Sequence, residues 1–193
     1  MRTSLFFMKI RNKRESWGVM TTKKMTVEQA IDMRDSLKRK IDNKVKILNS
    51  SCMVVEKGEY DKKTYAKIEE VVKSTYQSVS TMALNYDILS SAIMQSNHST
   101  TLTGIRGQRG RYITVAEALA VLNSPTGTVV DTLRRSRQIA YNTKASTKGS
   151  IVIDVLGDTA IKFVDNYENY VETLKNAVKE SNRKNIITVN LQD

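Results

Sequence analysis

The chain has 193 residues, 40% of them apolar, and a formal charge of +11. One proline and eight glycines exclude a many-stranded sandwich or barrel, which needs turn residues at short intervals, and the single Cys52 excludes an intrachain disulfide. The longest apolar run near the start, Leu5-Phe6-Phe7-Met8, is too short for a signal sequence or a membrane span, so a soluble, cytoplasmic protein is expected.

The charge is unevenly placed. Arg2, Lys9, Arg11, Lys13, Arg14, Lys23 and Lys24 against Glu15 give the first 24 residues a net +6, which leaves +5 for the other 169. That opening stretch has no amphipathic period, and Met20 and Met25 are alternative starts. Residues 1–24 are therefore expected to be a basic leader without ordered structure, and 25–193 a single domain.

Thr26-Val27-Glu28-Gln29 reads as a T-x-x-Q capping box that opens a helix over about 26–49. Residues 50–64 break the period, with Gly58 as the turn, and fit either a loop or a short hairpin. Tyr65, Ile68, Val72, Thr75, Val79, Met82, Tyr86, Leu89 and Ile93 then alternate spacings of three and four. This heptad seam predicts a long helix that must pack against other helices of the chain or of a second copy, and places Tyr65 and Tyr86 in the core. Residues 99–113 change to β-branched and turn residues, the signature of a hairpin, and Thr114-Val115-Ala116-Glu117 is a T-x-x-E capping box for the next helix. Pro125 kinks that helix or divides it in two without changing its buried face. Residues 142–150 read as a polar linker, and 151–157 as a short apolar piece of open type. Val164, Tyr167, Val171, Leu174 and Val178 define a last helix over about 160–181, and Asn185 to Leu191 alternate as a strand.

Two comparisons within the chain suggest an internal repeat. Residues 25–37, MTVEQAIDMRDSL, match 113–125, ITVAEALAVLNSP; residues 89–105, LSSAIMQSNHSTTLTGI, match 174–191, LKNAVKESNRKNIITVNL. The fold class expected is mainly α: a long antiparallel, coiled-coil-like helical bundle. The hairpin and the C-terminal strand meet in one small sheet at its end.

Residues 90–124 (most specifically 92–119), the capped opening TVEQAIDMRDSLKRKI and the closing VKESNRKNIITVNL together resemble helical-bundle proteins of phages and prophages, related at longer range to bacterial septicolysin-like proteins. The resemblance implies an antiparallel helical bundle with a β-hairpin, and a homo-oligomer; it would place the protein in the host cytoplasm or the virion. It brings no catalytic residues. The sequence departs from that pattern at Ser124-Pro125-Thr126-Gly127, where relatives continue the helix, and in its longer, more basic hairpin turn.

Chemistry is sparse. His98 and Cys52 are the sole residues of their kinds, and no metal, cofactor or nucleophile motif occurs, so no catalytic residue, no metal site and no cofactor are expected. Gly104, Gly107 and Gly110 have turn spacing rather than dinucleotide-loop spacing. The arginines beside them are the notable feature. Arg106, Arg109 and Arg111 on the hairpin, with Arg134, Arg135 and Arg137 on the following helix and Ser96 and Asn97 as extra donors, form a candidate anion site, since guanidinium groups bind phosphate oxygens in pairs. A non-enzymatic viral protein that sequesters a phosphorylated, nucleotide-like ligand is the first expectation. The alternatives are a virion structural or assembly protein and, ranked lower on the modest +5 of the body, a nucleic-acid-binding protein.

Overall fold

The computed structural model describes residues 19–51, 62–106, 110–146 and 157–193. In chain order they form β1 (Met20–Thr26), α1 (Val27–Ser51), α2 (Lys62–Ser99), β2 (Thr101–Arg106), β3 (Tyr112–Thr114), α3 (Val115–Leu122), α4 (Thr126–Ser146), α5 (Gly157–Lys184) and β4 (Ile186–Gln192). The chain is thus mainly helical with a β-hairpin, as its periodicity predicts.

Three features differ from expectation. The leader ends earlier: residues 20–24 are already strand, because β1 has a partner in β4. That partner also changes the sheet, since β1 pairs with β4 and β2 with β3 in two separate two-stranded ladders rather than one. The polar residues 142–146 continue α4, and Gln138 Nε2 donates to Asn142 Oδ1 at 3.1 Å, one helical turn on. Cys52, Gly58 and the apolar piece 151–156 lie outside the described residues.

The described residues pack as two compact units. The first comprises β1 up to Met25, α1 from Gln29, α2 as far as Ile93, and β4. Its strands run antiparallel: the Asp193 N–H donates to the Val19 carbonyl at 3.1 Å, and the Thr22 hydroxyl donates to Asn190 Oδ1 at 2.7 Å. Ala30, Leu37, Leu89, Ile93, Val189 and Leu191 are buried here. Buried among them is Asn85, whose amide donates to the Gln192 carbonyl and accepts from the Gln192 N–H, both at 2.8 Å, so one side chain stands in for a strand. The heptad seam of α2 is closed at Leu89 and Ile93 but open at its beginning, where Tyr65 is 66% exposed and Ile68 38%. Tyr65 is therefore not a core residue.

The second unit runs from Met94 to Asn185 and includes Thr26 to Glu28. Its core gathers Leu102, Ile105, Ile113, Val115, Ala118, Leu174 and Val178, with α5 packed on α3, α4 and β2. Leu102 and Ile105 both point inward although strict alternation would put them on opposite faces. The explanation lies between them. Across the hairpin Thr101 opposes Thr114 and Arg106 opposes Tyr112, so five steps of β2 face two of β3, and Gly104, at φ +79°, absorbs the surplus. Pro125 does divide the helix, and its carbonyl accepts from the Thr128 and Val129 N–H groups to start α4.

The internal repeat has a structural counterpart. Val27 and Val115 are each 1% exposed, and Ala30 and Ala118 are both fully buried, as are Leu89 and Leu174. Helix α2 ends with the Thr100 N–H on the Ser96 carbonyl at 2.9 Å, and α5 with the Asn185 N–H on the Ser181 carbonyl at 2.9 Å. The carbonyls of Thr100 and Asn185 then accept from Val115 and Val27, again at 2.9 Å each. The two crossings are tied together by Asn185 Nδ2 donating to Thr100 Oγ1 at 3.2 Å.

Candidate functional site

The hairpin, α3 and α5 enclose a groove of about 830 Å³ in the second unit. One wall is aromatic. Phe163, Tyr167 and Tyr170 fall at i, i+4 and i+7 on α5, which places them on one face of the helix, and the first two rings stack with centroids 6.4 Å apart. The floor is Ile113 from β3 with Ala120 and Val121 from α3, and Ser124 and Thr126 bring hydroxyls where α3 gives way to α4.

The opposite wall carries the charge. Arg106 and Arg111 flank the turn of the hairpin and both line the groove. The Arg106 guanidinium lies 5.7 Å above the ring of Tyr112, its cross-strand neighbour, which steadies a cation without neutralising it. Among the described residues no carboxylate is paired with it. Arg111 differs, since both its terminal nitrogens donate to the carboxylate of Glu117. Glu117 is itself fixed by the cap of α3: it accepts from the Thr114 N–H at 2.9 Å, while the Thr114 hydroxyl accepts from the Glu117 N–H at 3.2 Å. The Thr114 N–H first, and Arg111 second, hold the Glu117 carboxyl below its usual range.

The other expected site residues are placed elsewhere. Arg134, on α4, is ion-paired with Asp131 at 3.6 Å and with Glu168 of α5, and Arg135 is exposed on the same helix. Ser96 and Asn97 are half-buried on the last turn of α2, where the Ser96 carbonyl serves the helix end. None of these four lines the groove. Arg109 lies outside the described residues, as does the side chain of Arg137 on α4. His98 is exposed at the end of α2, and among the described residues no three His, Cys, Asp or Glu side chains gather to hold a metal. No described helix is long and apolar enough to cross a membrane.

Helical spacing in the sequence places Tyr167 on the buried face of the last helix, and the i, i+4, i+7 spacing of Phe163, Tyr167 and Tyr170 is the signal for the aromatic wall. Comparison of the chain with protein-family models, curated proteins and solved structures finds no match among any of them.

Proposed function

We propose that this protein binds an anionic, nucleotide-like ligand in the groove between its hairpin and α5, without chemical conversion of that ligand. The observation that carries the reading is the pairing of a free cation, Arg106, with a facing wall of aromatic rings. A base stacks on rings regardless of its identity, and a guanidinium offers two parallel donors to phosphate oxygens. The groove volume lies within the usual range for small-molecule sites, about 300–1,000 Å³. Sequestration of a nucleotide signal in a phage-infected cell is the biological setting that the family resemblance suggests.

Calorimetry of the full chain against a panel of nucleotides and cyclic nucleotides tests the reading. Heat is expected with at least one of them, and Arg106→Ala should weaken that binding by roughly tenfold or more, the value of a charge-assisted bond. Absence of heat across the panel removes the proposal.

A second reading, an oligomeric assembly protein, rests on the exposed apolar side chains of Tyr65, Ile68, Val71 and Tyr76 on α2. A second copy covering that stretch would complete the seam. Equilibrium sedimentation at micromolar concentration decides it, because a monomer there leaves the assembly reading without support.

A further inference from the structure

The charge of the groove is set by three side chains. Among the described residues that line it, Arg106 and Arg111 are positive and Glu117 is negative, which leaves one net positive charge. Arg111 is occupied by Glu117, so a ligand meets one available guanidinium, that of Arg106.

The internal repeat shows what Glu117 is for. Glutamate and glutamine both complete a capping box, since either side chain can accept from the cap residue's N–H. The corresponding place in the chain's other strand-to-helix junction, three residues after Thr26, is Gln29. Three residues before the cap stand Lys23 in one copy and Arg111 in the other. Capping therefore does not call for a carboxylate at 117. The negative charge acts on Arg111, and through it on whatever enters the groove.

A ligand with several negative charges needs more than Arg106. To recruit Arg111 it must displace Glu117, which stays anchored to the Thr114 N–H and then faces the incoming oxygens as a like charge. A ligand with a single negative charge needs neither step. Building on the groove's reading as an anion site, we infer that it selects a nucleotide whose phosphate is a singly charged phosphodiester. Glu117 is the residue that turns multiply charged phosphates away. The rings of Tyr167 and Tyr170 take the base, Arg106 takes the phosphodiester, and Glu117 sets the charge limit.

The test compares adenosine 3′,5′-cyclic monophosphate, which carries one negative charge, with adenosine 5′-monophosphate and adenosine triphosphate, by calorimetry on the full chain. The unaltered protein should prefer the cyclic monophosphate over the triphosphate by roughly fivefold or more, the scale of one partly exposed ion pair. Glu117→Gln, which keeps a side chain able to complete the capping box, should raise triphosphate affinity by a similar factor and shift the cyclic monophosphate less than about twofold. Arg111→Ala is the independent variant: it leaves Glu117 without its counter-ion, so discrimination against the triphosphate should grow. A thermal melt verifies that each variant is folded. Equal or tighter triphosphate binding by the unaltered chain, or reduced discrimination in Arg111→Ala, would overturn the inference while leaving the anion site standing. No binding of any of the three overturns the anion site and this inference with it.

Discussion

Two corners of this chain follow one plan and finish differently. In each, a strand turns into a helix at a threonine, and a fully buried alanine lies three residues beyond the first helical valine. The helix opposite carries a fully buried leucine, Leu174 in one corner and Leu89 in the other. Four residues before that leucine the corners part. Leu89 is preceded by Asn85, whose amide closes its corner by holding Gln192 with two hydrogen bonds. Leu174 is preceded by Tyr170, whose ring lines an open groove. The repeated positions hold the scaffold, and the positions that differ decide whether a corner is sealed or open.

The largest expected effect tests the shared plan. Leu174→Ala and Leu89→Ala should each cost about 2–5 kcal/mol in urea denaturation, the usual loss for a fully buried leucine. Only the first should also weaken ligand binding. A cost near zero for either one would break the equivalence of the two corners. A smaller effect tests the difference between them. Asn85→Ala removes both partners of Gln192 and should cost about 1–3 kcal/mol while leaving nucleotide affinity unchanged. Loss of affinity in that variant would mean that the sealed corner contributes to the groove.

The smallest effect is one of pH. The Glu117 carboxyl titrates below its ordinary range in the folded chain, so its stabilising contribution is complete at neutral pH and fades as pH falls through that depressed value. Below about pH 4 the melting temperature of the unaltered chain should therefore fall more steeply than that of Glu117→Gln. Identical acid limbs for the two proteins would show that the carboxylate is not held as described.

Helical periodicity and capping made most of the fold legible. The T-x-x-E box at Thr114 is present with both of its bonds, and helix α2 and the final strand lie where the spacing puts them. Strand partnership was not legible, because β1 is a short polar run, Met20 to Thr26, whose partner lies at the far end of the chain. Composition drew that run into the basic leader. The site was half legible. Arg106 and Arg111 do meet in a groove, but a list of arginines does not reveal which are neutralised, and Glu117 and Glu168 become counter-ions only through the fold. Helical spacing put Tyr167 on the buried face; that this face also borders an opening depends on how α3 and the hairpin pack against α5.

The pairing of β1 with β4 also carries a consequence for how the molecule is made. Thr22 and its partner Asn190 are 168 residues apart. At ordinary rates of synthesis, about 5–20 residues per second, β1 waits about 10–30 s before its partner exists. An unpaired strand edge during that interval is a template for misassembly, and lysines are among the residues that discourage it. Lys23 and Lys24, in the middle of β1, keep the waiting strand charged until the last strand arrives.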